Sequence, residues 1–306
     1  MFRYIIKRLI GMLPTLCLIT IFVFFFVRML PGDPARMLAG PDATLEDVEN
    51  TRRNLGLDKP ILVQFFNYIG GILRGDFGIS LRTKQPVSAE LGMRFRNTFV
   101  LALTAIAWSS FLGITVGIWS ARHRSKWQDY AGMTWAVSGI SMPNFWVGFI
   151  LIMLFSVRLR WLPTTGAGSF RNLILPAITL GTNIFAVIAR FTRSSLLEVL
   201  KADYIRTARA KGVPERLVIW RHGFRNSMIS VVTVMGLQFG FLLGGSVVVE
   251  IVFAYPGLGS LLVESVGYRD YPAIQTLVLI FAFTFIMVNL IVDVLYAVIN
   301  PEIRLG

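Results

Sequence analysis

Apolar residues gather into six windows, each near the about 20 residues a helix needs to cross about 30 Å of hydrocarbon. They run over Leu9–Val27, Thr98–Ala121, Gly132–Val157, Leu175–Phe191, Ser227–Val249 and Thr276–Ile299. Two stretches between them are long and polar, 31–97 and 190–226. In the first, Thr44-Leu45-Glu46-Asp47 has the form of a capping box. After Pro60, which suits a first helical position, Leu62, Phe65, Phe66, Ile69, Ile72 and Leu73 fall on one face of a helix that Gly75 ends. The pattern predicts an all-α polytopic membrane protein with six transmembrane helices and a helical segment between the first two. The expected divisions are 1–30, a first spanning helix; 31–97, an extracytoplasmic segment; and 98–300, the core, with a cytoplasmic loop at 190–226. The face in 31–97 either packs on the outer ends of the spans or offers a platform to a delivered substrate or protein.

Composition agrees. The 306 residues are 55% hydrophobic and 15% charged, with mean hydropathy +0.64; soluble domains carry about 25% charged residues. The net charge of +13 is dispersed between apolar runs, unlike the basic face of a nucleic-acid binder. The first window follows Arg3, Lys7 and Arg8 but exceeds a signal-peptide core and lacks a small-x-small cleavage site, so it reads as a retained anchor. Basic residues set orientation. Sixteen lie in the N-terminus, 122–131, 190–226 and the tail, against four in 158–174 and 250–275. Both termini and the 190–226 loop are therefore expected in the cytoplasm of a cell bounded by this membrane.

Several features interrupt the windows. Gly113 and Gly117, and Gly236, Gly240 and Gly244, are spaced for close helix packing. Pro143 removes the hydrogen bond to Gly139 and predicts a kink or opening in the third window. Such irregular backbone is either a plain kink or a transport site. Asn144, Asn183, Gln238 and Asn289 are candidate pathway residues, because polar groups in hydrocarbon need partners. Asp293 is paired, with Arg190 or a helix end, or takes part in transport.

Chemistry of its own is absent from the pattern. No phosphate-loop motif occurs and no lysine precedes Ser or Thr. The histidines are His123 and His222 and the cysteine is Cys17, too few for a His-based or thiol-rich metal site. No metal site, catalytic residue or cofactor is expected in this chain.

The 190–226 loop carries nine basic and three acidic residues. Within it Tyr204 to Lys211 forms helix readily, Gly212 terminates it, and Pro214 suits the first turn of another. By charge alone it is a solvated connector, a patch on anionic lipid, or a docking helix for a soluble partner.

Tyr204-Ile205-Arg206-Thr207-Ala208-Arg209-Ala210-Lys211-Gly212, followed by His222-Gly223-Phe224-Arg225-Asn226, resembles the cytoplasmic loop of permease subunits of binding-protein-dependent ABC importers. More narrowly it is similar to the B-type permeases of the dipeptide, oligopeptide and nickel group. The likeness extends to Leu30-Pro31-Gly32-Asp33-Pro34, Gly75-Asp76-Phe77-Gly78, Ser138-Gly139-Ile140-Ser141, Leu175-Pro176, Ala189-Arg190-Phe191-Thr192-Arg193, Tyr255-Pro256-Gly257-Leu258-Gly259, Arg269-Asp270-Tyr271-Pro272 and Asn300-Pro301. One departure is Arg206-Thr207-Ala208 where the broad permease motif has Glu-Ala-Ala, which removes any contact assigned to that Glu.

The resemblance implies a type I ABC importer permease fold in a bacterial inner membrane, half of a translocation pathway for glutathione or short peptides. It implies a second permease, two cytoplasmic ATPases that bind ATP and Mg, an extracytoplasmic solute-binding protein, and no nucleic acid. It assigns ATPase coupling to Asp203, Tyr204, Ile205, Arg206, Thr207, Ala208, Arg209, Ala210, Lys211, Gly212, Val213 and Pro214. The segment 31–97 and the Tyr255–Arg269 loop would meet the delivery protein. The competing reading from the residues is a proton- or ion-coupled secondary carrier; within the resemblance, it is the same architecture carrying nickel or another non-peptide solute.

Overall fold

Backbone amides and carbonyls cannot stay unpaired in hydrocarbon, so a chain with these windows folds as helices. The computed structural model describes residues 2–29, 32–40 and 42–299 (side chains of 2–5, 7, 9 and 295–299 excepted). Leu30 and Pro31 of the Leu30–Pro34 run, and Asn300-Pro301, lie outside the described residues. Apart from an isolated Ile79–Pro86 bridge, regular structure in the described residues is helical.

Helix α1 is Phe2–Met29, and α2 (Pro34–Ala39), α3 (Leu45–Asn54) and α4 (Ile61–Leu73) follow. Next come α5 (Ser88–Arg122), α6 (Trp127–Ser138), α7 (Asn144–Leu151) and a π-helical turn at Ile152–Arg158. The remainder is α8 (Phe170–Val199), α9 (Asp203–Ala210), α10 (Glu215–Leu217), a second π-helical turn (Val218–Phe224), α11 (Arg225–Val252), α12 (Leu258–Gly267) and α13 (Tyr271–Ile299). Five helices among the described residues are long and apolar enough to cross a membrane: parts of α1 and α13, α5, α8, and the continuous run Glu215–Val252. The third apolar window is not one helix. It is divided between α6 and α7 by turns at 139–143, where Pro143 has no amide hydrogen to continue the ladder.

The core lies where α5, α8 and α11 meet, around Leu101, Leu180, Ile188, Leu242 and Phe253. Helix α5 lies along α8 almost backbone to backbone. A Cβ on Gly113 would fall 2.9 Å from Ile188 Cγ2, and one on Gly117 would fall 2.6 Å from Thr192 Cβ and 2.7 Å from the Ala189 carbonyl oxygen. Higher on the same seam Trp108 covers Gly181 and donates from Nε1 to the Ala177 carbonyl at 2.8 Å.

On α11, Gly236 and Gly240 face α13: a Cβ would meet Val292 at 2.4 Å and Phe285 at 3.2 Å respectively. Gly244 does not share this contact; nothing lies within 4 Å of its Cβ position. Steps of four residues drift about 40° each around a helix of about 3.6 residues per turn, and two steps carry Gly244 off the seam. Helix α1 runs along α13, with Val23 and Val27 against Tyr271 and Ile274. Asp293 is paired, but with Arg8 at 2.9 Å rather than with Arg190. Antiparallel packing of α1 on α13 brings the first basic turn of one beside the last turns of the other.

The segment 31–97 is folded. Asp33 caps α2 through the Ala35 amide at 3.0 Å and pairs with Arg52 at 2.6 Å. Thr44 and Asp47 form the reciprocal cap on α3. Helix α4 leans on the end of α1 through Phe65 and Tyr68, whose rings lie 5.1 and 5.6 Å from that of Phe24.

The α5–α8 seam generates a prediction. Gly117→Ala should lower stability by about 1–3 kcal/mol, the cost of overpacking, whereas Gly244→Ala should be neutral or stabilising by up to about 1 kcal/mol. Unfolding of the purified protein in mixed micelles measures both, and equal effects would contradict the seam.

Candidate functional site

The polar loop between α8 and α11 folds back against the bundle. Ile205 and Ala208, three apart on α9, are buried and pack on Val218 of the π-helical turn, with Leu200 and Val213 beside them. Full burial of an isoleucine is worth about 1.5–3 kcal/mol, enough to seat a helix of only eight residues. Its C-terminus closes in a Schellman arrangement. The Val213 amide donates to the Ala208 carbonyl at 3.2 Å and the Gly212 amide to that of Arg209 at 3.0 Å. Gly212 sits at φ +76°, where a residue with a Cβ would be strained.

The opposite face is open. Asp203, Arg206, Thr207, Arg209, Ala210 and Lys211 are exposed, Asp203 at 96% and Arg206 at 78% of their side chains. Exposed Tyr204, Leu217 and Trp220 add apolar surface. The Tyr204 hydroxyl accepts from Asn226 Nδ2 at 2.8 Å, tying α9 to the first turn of α11. Arg209 grips Glu215 with two hydrogen bonds, 3.0 and 2.7 Å, across the Gly212-Val213-Pro214 turn, where Pro214 caps α10. The hydrogen bonds from Arg209 hold the Glu215 carboxyl below the usual glutamate range, and the same pair raises the Arg209 guanidinium. The result is a small cationic and aromatic elbow fixed directly to the ends of α8 and α11.

Asp129 braces the neighbouring 122–131 turn. It is buried, accepts two bonds from Arg193 at 2.6 Å, and accepts from the Ser125 amide at 3.1 Å. Asp129 did not stand out in the sequence, because it looked like an ordinary loop charge, and Arg193 appeared there in the Ala189–Arg193 run with no partner assigned.

The four polar positions proposed for a pathway separate into a pair and two single residues. Asn144 opens α7 just after the break and accepts from Asn183 Nδ2 of α8 at 3.0 Å. The remaining amide oxygen of Asn183 is buried without a partner among the described residues. Gln238 and Asn289 are half-buried and do not join them; Asn289 lies beside Gly240. A cavity of ≈ 260 Å³ between α5, α11 and α13 is lined by apolar side chains and Thr233, with neither Gln238 nor Asn289 in its wall.

At the opposite end of the bundle two buried acids hold the loops. Glu250 accepts from Thr98 Oγ1 at 2.7 Å, Ser246 Oγ at 3.0 Å and the Ser260 amide at 2.9 Å, under the Tyr255–Gly259 run. Its carboxylate thus meets the positive end of α12. The fit requires glycine above it, since a Cβ on Gly257 would fall 2.3 Å from the carboxyl carbon. Asp270 accepts from Ser80 Oγ and from the Ala273 amide at 3.3 Å, joining the 79–86 turn to the start of α13. Glu250 was overlooked because it trails an apolar window; the signal was an acid just ahead of a Pro-Gly turn.

An all-helical polytopic bundle with a short exposed helix fixed across two span ends is the architecture of a transport-system membrane component. Residues 113–305 match the family of binding-protein-dependent transport system inner membrane components, and residues 1–103 match the N-terminal segment described for such components. The chain belongs to that family, and is a multi-pass inner membrane protein that works with other ABC components.

It is 55% identical over 304 residues, 99% of each chain, to the glutathione transport system permease protein GsiC of Escherichia coli (strain K12) and to that of Salmonella typhimurium (strain LT2). Among solved structures, an inward-facing MetNI methionine ABC transporter chain aligns with TM-score 0.59 at 17% identity, over 70% of this chain and 97% of that one. An amino acid ABC transporter chain aligns at TM-score 0.55 and 13% identity, over 69% and 92%. These two show the shared fold.

Two predictions follow from the site's geometry. Glu250→Ala leaves the Ser260 amide and the Thr98 hydroxyl proton without their acceptor, while Ser246 Oγ keeps the Leu243 carbonyl, and should cost about 2–4 kcal/mol and expose 253–260 to protease; unchanged proteolysis would contradict the brace. Glu215 has its value depressed in the fold, so its contribution is present above the ordinary glutamate value and lost as pH falls through the lowered one. The protection of amides 209–217, taken relative to their intrinsic exchange rate at each pH, should therefore fall on the acid side of the usual glutamate range, and Glu215→Gln should abolish that dependence.

Proposed function

We propose that this chain is one of two permease subunits forming the translocation pathway of an ABC importer for glutathione or short peptides. The observation that carries the reading is the 55% identity, over 99% of both chains, to permeases named for glutathione transport. A second permease completes the pathway, a solute-binding protein delivers cargo, and two ATPases that bind ATP and Mg supply the energy. The sixteen-to-four distribution of basic residues supports placing both termini and the 190–226 loop in the cytoplasm. On that orientation the broken α6–α7 segment completes a third of six crossings, and 31–97 is extracytoplasmic.

Helix α9 is the point at which an ATPase engages. Its exposed face offers Arg206, Arg209 and Lys211 beside Tyr204, while Ile205 and Ala208 anchor it to the bundle. Force applied to that face reaches α8 and α11 without passing through a flexible linker. Useful coupling needs contacts that differ between two bundle states. The Asn144–Asn183 pair, placed at the helix break with an amide oxygen unpartnered, is the best-positioned pathway element of the four asparagine and glutamine candidates. Gln238 and Asn289 are proposed as further polar contacts along the route. The ion pair of Asp293 with Arg8 gives that acid a structural role and takes support from a proton-coupled carrier.

Arg206→Glu combined with Arg209→Glu should abolish ATP-dependent uptake of glutathione or a dipeptide in proteoliposomes, together with ATPase co-purification. Retention of both activities in the double variant would refute the docking face. Uptake driven by an ion gradient with no ATPase present would refute the importer.

A further inference from the structure

Below α4 lies a cleft of ≈ 510 Å³ walled by α1, α4 and α13. Phe65, Ile69 and Ile72 of α4, at i, i+4 and i+7, form its roof, and Leu13 and Cys17 of α1 with Phe283 of α13, all three exposed, line its walls. The roof is held near the ends of the spans: Phe65 meets Phe24 and Phe25 of α1, and Phe77, just past α4, packs on the cluster that contains Ala273 and Leu277 of α13. From Phe24 down to Leu13 is about 16 Å at about 1.5 Å per residue. The cleft thus descends from the level of α4 well into the depth of the spanning helices.

Its chemistry excludes a polar guest. The lining is apolar except for Thr20, whose hydroxyl already donates to the Leu16 carbonyl at 2.7 Å, and the Cys17 thiol. Helix α4 itself is not suited to water: Leu62, Phe66 and Leu73 are 62%, 68% and 82% exposed. A helix with that much bare apolar surface, tethered to two spanning helices, belongs at the membrane interface with its apolar side toward the acyl chains. Cationic groups stand at both of its ends. Arg28 holds Gln64 at one, and Arg74 is exposed at the other, with Asp76 the nearest acid in sequence and its carboxylate turned onto the Gly78 amide.

We propose that this cleft is a phospholipid site. One acyl chain occupies the space beneath α4, and the phosphate lies at the level of Arg28 and Arg74. The bound lipid fills the wedge between α1 and α13 that protein atoms leave empty, and keeps α4 seated as an interfacial helix. The proposal depends on the chain being a membrane protein and not on its cargo, so it stands or falls separately from the importer reading.

The test uses the full chain, extracted from vesicles of phosphatidylethanolamine and phosphatidylglycerol and examined by native mass spectrometry. The wild type should retain one phospholipid per chain after the annular lipid is stripped. Cys17→Trp, which fills the cleft, should weaken retention about tenfold, while Leu18→Trp, on the outward side of the same helix, should leave it unchanged. In the wild type, phosphatidylglycerol carrying a photoreactive acyl chain should label Ile69 and Phe283. Retention unaffected by Cys17→Trp, or labelling of Leu18 without Ile69 and Phe283, would overturn the proposal. So would a cross-link from Cys17 to another protein chain, which would make the cleft a subunit interface.

Discussion

The approach of α5 to α8 is the constraint on which the rest of the bundle depends. Gly113 and Gly117 allow Ile188, Thr192 and the Ala189 carbonyl to come within a distance that any side chain at those glycines would forbid. In lipid there is no hydrophobic drive to bring two apolar helices together, so close packing must do it. That contact fixes α8, and α8 in turn leads directly into the elbow at 203–214. Helix α11, which packs on α8 and receives the elbow's other end, is located by the same contact.

Buried acids perform the complementary task at the other end. Glu250 satisfies two hydroxyls and an amide at the start of α12, and Asp270 joins the 79–86 turn to the start of α13. A carboxylate removed from water is costly unless it is fully hydrogen-bonded, and these two are held by backbone amides and short hydroxyl side chains. The elbow, by contrast, leaves its charges exposed. One end of the molecule buries its acids, while at the other the pairs Arg206–Asp203 and Arg209–Glu215 stay at the surface.

Much of the fold was legible in the residues. Hydrophobic period gave five of the six expected spanning helices and the amphipathic α4; Pro143 gave the break in the third window; Gly212 gave the end of α9. The reasons are local, since each depends on backbone chemistry within a turn or two. What was illegible required knowing which elements meet. Asp293 pairs with Arg8, nearly the whole chain away, and Gly244 leaves the α13 seam because a spacing of four is not a full turn. Glu250 and Asp129 looked like stray charges at window edges until Thr98, Ser260 and Arg193 were brought beside them. The pathway is the least legible part: four polar residues marked it, and the fold unites Asn144 and Asn183 while leaving Gln238 and Asn289 apart.

In the importer proposed above, α9 is the surface through which another protein's motion enters the bundle. The most direct measurement places a photoreactive amino acid at Thr207, on the exposed face, in the assembled importer during ATP-dependent glutathione uptake. The expected result is a cross-link to the ATP-hydrolysing subunit whose yield changes between nucleotide-free and ATP-bound states. Cross-links confined to lipid or to this chain, whatever the nucleotide, would contradict it.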